Sequence, residues 1–388
     1  MKPSVAHFSL YYFELSENWI HTQIKYSKEW NPTVFTNHTK NLDSVDWSPP
    51  IYNRSQELSL PVRLADSIAM KLIGYYPSFY SHLNKENFQL IHAHFGPMGY
   101  LCSGIAKRLN IPLITTFYGY DASLLPNEKP QWKSNYRKLF ERGSRFLVEG
   151  PAMGKKLEAL GCPPEKIVVQ HLGVEINKYK PKEDYPATEN LRLLMVGRFV
   201  EKKGFIYGLR AFHQFLKKGG NGILTIYGDS NGTKESEQVK GELLQYVKDH
   251  GLQESVFLPG LIPLEKLQEE YHHHDIFLAP SVLSTDGDDE GGAPVTIIEA
   301  SASGLPIIGS RHCDISEVVV DEKTGLLADE KDVETLSEHL VRLHQNPELQ
   351  KNLGKSGVVH IQEHFDAFKQ GKVLSSIYRD CINNEERS

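Results

Sequence analysis

The sequence predicts an α/β protein built as two doubly wound, Rossmann-like domains facing across a cleft. Three observations carry that expectation. Short apolar runs alternate with amphipathic segments throughout the 388 residues, the rhythm of parallel strands covered by helices on both faces. The length is about twice what one compact core serves. The rhythm breaks once, at 177–190 (NKYKPKEDYPATEN), a polar stretch with two prolines and no helical or strand period, as a linker would be. It separates a domain 1–178 from a domain 179–364. Ligands in such sheets bind beyond the carboxyl ends of strands, which directs attention to the loops there.

In the first half, apolar runs at 5–10, 88–94, 112–118, 146–149 and 167–171 read as strands. Amphipathic stretches at 18–30, 98–109, 131–141 and 152–160 read as the helices between them. In the second half the strands are 191–196, 223–227, 256–258, 276–279 and 306–309. Phe205, Leu209, Phe212 and Leu216 recur at helical spacing, and further helices are expected at 235–250, 264–272 and 295–303.

Composition narrows the function classes. Hydrophobic residues make up 40% and charged residues 24%, values of a soluble globular chain that exclude a disordered one. No run approaches the 18 or so apolar residues of a spanning helix, and the opening residues lack the apolar core of a secretory signal. Four isolated cysteines, Cys102, Cys162, Cys313 and Cys381, form no CxxC pair. They read as reduced thiols of a cytoplasmic protein rather than a disulfide framework or a zinc site. Residues 1–182 hold 22 basic against 15 acidic residues, whereas 183–388 hold 21 against 34. Opposite signs suggest different partners for the two halves. An acidic second half and the lack of an aromatic-rich basic segment argue against nucleic acid.

Two stretches carry chemistry. In 280–310 a strand ends, an acidic, Gly-rich loop follows, and a helix opens near Val295. A Gly-Gly turn leading into a helix offers unpaired N–H groups and the positive end of a dipole, a setting for phosphate. Glu290 stands before the turn and Glu299 one turn inside the helix, so both carboxylates can border one pocket and accept hydrogen bonds from hydroxyl groups. In 196–205 (VGRFVEKKGF), Arg198 and Lys203 occupy the loop after the first strand of the second half. There a planar fork and a movable point charge suit a diphosphate. His92 and His94 alternate along a strand and share one face near its carboxyl end. The triplet His272–His274 reads as a basic helix end, and Asp286-Gly-Asp288 as an acidic surface loop.

In their order, VGRFVEKKG (196–204), LTIYGD (224–229), VFLPGLIP (256–263), DIFLAPS (275–281) and EGGAPVTIIEASASGLPII (290–308) resemble the donor domain of retaining glycosyltransferases of family 4, which have the GT-B fold. IHAHFG (91–96), IPLITTFYGYD (111–121) and HLGVE (171–175) resemble the acceptor domain of bacterial polysaccharide-assembly members. The resemblance implies that Arg198 and Lys203 hold the donor's diphosphate, that Glu299 binds the ribose hydroxyls, and that Glu290 faces the donor sugar. It sets the backbone of Gly291, Gly292, Ala293, Pro294 and Val295 against sugar and phosphate. Gly197 and Gly228 lie beside the donor, and Gly260 and Ile262 lie against its base. His94, Tyr118 and Asp121 fall on the acceptor side. A terminal helix, about 365–388, is expected to cross back onto the first domain.

Three departures stand out. Eight residues (291–298) separate Glu290 from Glu299, where the family has seven. Tyr118 occupies the place of a histidine in TFYGYD, and tyrosine is a poor base at neutral pH. Ser16, Glu17 and Asn18 replace a Gly-Gly turn after the first strand. The reaction so implied moves a sugar, with retention, from a nucleotide-diphosphate sugar to a saccharide or lipid-linked acceptor in exopolysaccharide, capsule or lipopolysaccharide synthesis. Two positive side chains and a helix dipole then serve in place of a metal ion. No cofactor is expected, and uridine is favoured over guanosine as the donor's base. Lys107, Arg108, Lys133, Arg137, Lys138, Arg142 and Arg145 suggest attraction to an anionic membrane surface, hence a cytoplasmic enzyme with peripheral attachment to the inner face of the membrane. A sugar-nucleotide epimerase of the same fold and a non-catalytic carbohydrate-binding relative stand as alternatives.

Overall fold

The computed structural model describes residues 2–13 and 18–385. The chain divides into two compact units, Met1–Gly173 with Ala367–Ser388, and Val174–Asp366. Each is built on one parallel sheet. The first has seven strands, β1 (Ser4–Tyr12), β2 (Asn31–Thr39), β3 (Ile51–Asn53), β4 (Leu90–His94), β5 (Leu113–Thr116), β6 (Arg145–Val148) and β7 (Ile167–Val169), in the order β3-β2-β1-β4-β5-β6-β7. The second has six, β8 (Leu191–Val196), β9 (Gly222–Tyr227), β10 (Val256–Gly260), β11 (Ile276–Ala279), β12 (Ile307–Ser310) and β13 (Gly325–Ala328), in the order β10-β9-β8-β11-β12-β13. In both, the chain reverses its direction of travel beside the first strand, where doubly wound sheets open a crevice at the strands' carboxyl ends.

Burial explains the strands. All five residues of β4 and all four of β11 are buried, as expected of apolar strands covered on both faces. In the first unit Phe8, Phe35 and Phe79 pack on one face of the sheet, with Phe8 and Phe35 stacked at 4.8 Å. On the other face Val5, Leu90, Ile114 and Leu147 meet Leu374, Tyr378 and Cys381 of the helix Ala367–Glu385. Those three side chains recur at helical spacing, and Gly371 lets the helix lie against Tyr26, whose carbonyl oxygen would be 2.1 Å from any added Cβ.

Several elements differ from expectation. The apolar pattern assigns nothing between 31 and 87, where the structure has β2, β3 and the helices Arg54–Glu57, Leu60–Ile73 and Pro77–Leu83. It also misses Leu124–Glu128, Ile315–Val318, β13, Val333–Gln345 and Pro347–His364. The stretch 177–190 is no free linker. Tyr179 donates to Glu299 (2.8 Å), Lys182 pairs with Asp275 (3.1 Å), and Tyr185 donates to the Gly304 carbonyl (2.6 Å). The division falls after Gly173 and before Ala367, whereas the sequence suggested 178/179 and 364/365. There the Val174 N–H donates to the Phe365 carbonyl at 2.8 Å. Of the expected glycine-free turn, Ser16 and Glu17 lie outside the described residues, and Asn18 opens the helix Asn18–Tyr26. No described helix is long and apolar enough to cross a membrane.

The helix Leu60–Ile73 is held from within by charge. Asp66 is its one fully buried residue. It accepts from Arg54 Nε (2.6 Å), the Ser78 N–H (2.9 Å) and Ser78 Oγ (2.8 Å). The Arg54 guanidinium also donates to the Arg63 carbonyl and Ser67 Oγ and lies 4.1 Å from the centre of the Tyr76 ring. Asp66→Ala leaves that guanidinium buried without its anion, and should cost about 3–5 kcal/mol of stability by chemical denaturation. A loss below about 1 kcal/mol would contradict a buried pair.

Candidate active site

The second unit brings the expected donor residues together at the carboxyl edge of its sheet. After β8 the chain runs through Gly197 and Arg198, makes a short turn at Glu201–Lys203, and enters the helix Phe205–Lys217 through Gly204. Gly204 has φ +61°, and a Cβ there would sit 1.8 Å from the Pro280 carbonyl oxygen. No other residue lets this loop close on the end of β11. The ends of β8, β9 and β10 meet along one line: the Gly197 N–H donates to the Tyr227 carbonyl and the Gly228 N–H to the Gly260 carbonyl, each at 3.0 Å. Ile262 is half-buried in the following loop.

Lys203 Nζ lies 2.9 Å from Glu290 Oε2, and Ser281 Oγ donates to Glu290 Oε1 at 2.7 Å. Burial draws the Lys203 ammonium below its usual range. Burial raises the Glu290 carboxyl too, but the Lys203 and Lys202 charges outweigh it and hold the group low. Each Glu290 oxygen thus has one partner and keeps one acceptor site. Lys203 retains two further donor hydrogens. Arg198 is exposed, with no carboxylate beside its guanidinium among the described residues.

The loop before the helix Val295–Ala302 is fixed by its own residues. Lys202 donates to the Asp289 carbonyl (2.7 Å) and pairs with Asp288 (2.9 Å), which ties the Asp286-Gly-Asp288 run to a lysine. The Gly291 N–H donates to Asp289 Oδ1 and the Glu290 N–H to His312 Nε2. His312 Nδ1 is 2.6 Å from Glu330, so it carries the proton donated there. Within 290–297 the backbone bonds made inside the protein are those of Glu290, Gly291 and Ile297. The N–H groups of Gly292, Ala293, Val295 and Thr296 stay available to a ligand, as unsatisfied helix N-termini do.

Glu299 is 4% exposed. Tyr179 donates to its Oε1 at 2.8 Å and Tyr271 to its Oε2 at 2.9 Å. Burial raises its pKa above the usual range, partly offset by these two hydroxyls. Each oxygen keeps one acceptor site. Sequence reasoning missed both tyrosines, along with Ser281 and His312. Tyr179 lies in the supposed linker, and Tyr271 reads as an ordinary helix-face aromatic; His312, just past a strand's carboxyl end, was the one with a usable signal. The His272–His274 triplet ends the helix Leu264–His273, with His274 on the Glu270 carbonyl.

In the first unit His94, Tyr118 and Asp121 come together, but as an interior network. Tyr118 is buried, its hydroxyl donating to Gln23 Oε1 (3.0 Å) while standing 2.6 Å from His94 Nδ1. His94 then donates through Nδ1, which leaves its Nε2 to accept from His7 Nδ1 at 3.1 Å. Gln23 donates onward to Gln170. His92 sits between Tyr378 (2.6 Å) and Thr116 (2.7 Å). Asp121 accepts from the Gly96 N–H (2.7 Å) and the Tyr118 N–H (3.0 Å), so it caps the helix Gly96–Leu109 and fixes the Tyr118 backbone. Neither side chain is an open acceptor-binding group here. His7, His92 and His94 are the described cluster able to offer metal ligands, their nitrogens lying within 4.8 Å of one another. Hydrogen bonds engage five of the six ring nitrogens, leaving only His7 Nε2 without a partner.

Burial holds the three histidines neutral, His7 down to about 3 and His92 and His94 well below the usual value. Their contribution to stability is complete above pH 6.5 and is lost as pH falls towards 3. Burial of Asp121 acts oppositely: its pKa is raised to about 6, so its contribution is lost as pH rises from about 4 through 6. Three groups outweigh one. Stability should fall from pH 6.5 to 4, and His7→Gln should flatten the slope by about 1.4 kcal/mol per pH unit. Parallel slopes for the two proteins in denaturation at several pH values would contradict the neutral assignment.

Residues 26–178 match the family description "Glycosyltransferase Family 4" and residues 176–358 match "Glycosyl transferases group 1". The amylovoran biosynthesis glycosyltransferase AmsK of Erwinia amylovora is 34% identical over 268 residues, covering 68% of this chain and 63% of that protein. The chain thus spans about three fifths of the length of the curated relatives it matches. Sucrose-phosphate synthase of Thermosynechococcus elongatus has a similar structure, with a TM-score of 0.77 at 19% identity, over 98% of this chain and 100% of that one. HepE of Anabaena, solved with UDP, has a TM-score of 0.76 at 15% identity, also over 98% and 100%. Structural likeness at such identity shows the fold. Together with the two family matches, it establishes that the chain belongs to the family 4 glycosyltransferases of the GT-B fold.

Proposed function

We propose that the protein transfers a sugar, with retention of configuration, from a nucleotide-diphosphate sugar to a saccharide or lipid-linked saccharide acceptor in bacterial polysaccharide assembly. One observation carries this reading. Lys203, still holding spare donors, the unpartnered Arg198, and the free N–H groups ahead of the helix Val295–Ala302 all belong to loops at the carboxyl edge of one sheet. Such a set suits a diphosphate. Glu299, with one acceptor site left on each oxygen, is suited to ribose hydroxyls. The relative AmsK is named for amylovoran biosynthesis, which favours polysaccharide assembly, and HepE was solved with UDP, which favours uridine.

In this reading the cations and the helix dipole stabilise charge growing on the leaving diphosphate, electrostatic work that asks for no metal ion. The departing phosphate oxygen accepts the proton of the attacking hydroxyl on the same face of the sugar, so the protein supplies no nucleophile. Glu290 holds Lys203 in position. The first unit binds the acceptor, in a cytoplasmic setting, and its exposed Lys107, Arg108, Lys133, Arg137, Lys138 and Arg142 face an anionic membrane surface.

A thermal-shift panel of nucleotide sugars selects the donor, and NMR then follows its consumption with and without acceptor. Acceptor-dependent release of the nucleoside diphosphate, insensitive to EDTA, with an unchanged anomeric configuration in the product, is the expected result. Conversion of the donor sugar without acceptor would instead support the epimerase reading, and nucleotide binding without turnover a carbohydrate-binding protein. Arg198→Ala and Lys203→Ala should each lower turnover about 10²–10³-fold; near-normal rates in both sink the assignment. Tyr271→Phe removes one hydroxyl from Glu299 and should weaken the ribonucleotide donor about tenfold while leaving a 2′,3′-dideoxy analogue unaffected. Equal loss for both ligands would remove Glu299 from the ribose.

A further inference from the structure

The helix Leu60–Ile73 is turned inside out. Its polar residues Arg63, Asp66 and Ser67 face the domain, where Asp66 is buried against Arg54 and Ser78. Leu60, Leu64, Ile68 and Leu72 follow one another at four-residue spacing and are 58%, 58%, 61% and 80% exposed. At that spacing they form one stripe along the helix, and Pro61 and Ala65 beside them are exposed as well. The helix runs for about 21 Å. A stripe this long on the surface of a soluble chain marks an interaction site.

Charge says what covers it. The one acid of the helix is turned inward, and Lys71 is the only charged residue on the exposed arc. Where the helix ends, Gly74 leads to Tyr75, and the Arg108 guanidinium stands 5.2 Å from the centre of that ring. Arg108 and its exposed neighbour Lys107 end the helix Gly96–Leu109. An apolar arc without acids, edged by lysine and arginine, is complementary to an anionic lipid surface: the side chains enter the headgroup–acyl boundary and the cations meet the headgroups.

The geometry points to this helix as the element that docks the first unit on an anionic bilayer, with Leu60, Leu64, Ile68 and Leu72 inserted and Lys71, Lys107 and Arg108 at the headgroups. The inference rests on the membrane part of the function proposed above and is independent of glycosyl transfer. The Arg54–Asp66 pair holds the helix in this orientation, so the apolar face needs no rearrangement to reach lipid.

Flotation of the full chain with vesicles of phosphatidylcholine, alone or with a quarter phosphatidylglycerol, tests it. Wild type should float with the anionic vesicles. Leu64→Ser/Ile68→Ser, whose side chains are exposed and whose melting curve should match wild type, should lose about tenfold or more in recovery. Lys71→Glu should lose about fivefold on the anionic vesicles alone. A tryptophan introduced as Ile68→Trp should shift its emission to the blue on the same vesicles. If wild type floats and Leu64→Ser/Ile68→Ser floats equally, the helix is not the docking element and basic charge alone accounts for attachment. If wild type fails to float, both the docking helix and the membrane reading fall. Self-association in sedimentation velocity, abolished by the serine variant and without flotation, assigns the stripe to a second copy and overturns the lipid proposal. UDP binding, measured on the same variants, reports on the donor site separately and should not change.

Discussion

A largely covered ammonium and carboxylate, Lys203 and Glu290, 2.9 Å apart with side chains 16% and 5% exposed, organise the carboxyl edge of the second unit's sheet. They come from the loops that follow β8 and β11, neighbours in the sheet at the point where its order reverses. Removing either partner strands the other charge in the interior, so the two loops are tied together by a cost rather than by mere proximity. Further links run between the same pair of loops: Gly204 against the Pro280 carbonyl, and Lys202 on the Asp289 carbonyl and Asp288. Those links also decide which donors remain. Asp289 and His312 take the N–H groups of Gly291 and Glu290, and those of Gly292, Ala293, Val295 and Thr296 are left without a partner among the described residues. Local charge is balanced inside, and the cation without a carboxylate, Arg198, is on the surface.

Much of this edge was legible because its parts are short-range. Apolar runs located β4, β8, β11 and β12 within two residues or so, and Gly-Gly before Val295 marked a helix that does begin at Val295. What failed to show was long-range. The bonds of Glu299 to Tyr179 and Tyr271 span 120 and 28 residues, and no local period announces them. β2, with the sequence NPTVFTNHT, is too polar to read as a covered strand, yet it lies between β1 and β3 and pairs with both. The polar run 177–190 looked like a linker because its anchors, Tyr179, Lys182 and Tyr185, are amphipathic side chains that composition counts as solvent-facing.

The first unit shows the converse case, residues of the expected types tied into an interior hydrogen-bond network. His94, Tyr118 and Asp121 do converge, but Gln23, His7 and two backbone N–H groups occupy their polar atoms. The tyrosine at 118 fits this network. Its hydroxyl both accepts and donates, so it bridges His94 and Gln23, a task a neutral imidazole meets only with both nitrogens. Buried networks of this sort are tolerated when nearly every member is satisfied. Phe95, next to His94, has φ +70°. Such a conformation costs about 1–3 kcal/mol and persists where the surroundings over-determine it. Here β4 ends and a capped helix begins at once, which leaves the chain no residue in which to relax.

The helix Leu60–Ile73 exposes a limit of periodicity itself. An apolar stripe on a helix gives its direction relative to the helix, never relative to the domain. The deciding side chain is elsewhere: Arg54, buried before the helix begins, requires an anion, and Asp66 is the one that reaches it. Turning the stripe inward would leave that guanidinium unpaired, at a cost comparable to burying a large aliphatic residue or two. Once Asp66 faces in, the sequence has only one direction in which to send Leu64, Ile68 and Leu72. The exposed stripe is therefore a consequence of the buried pair, and the pair is what would have to change for the stripe to join the core.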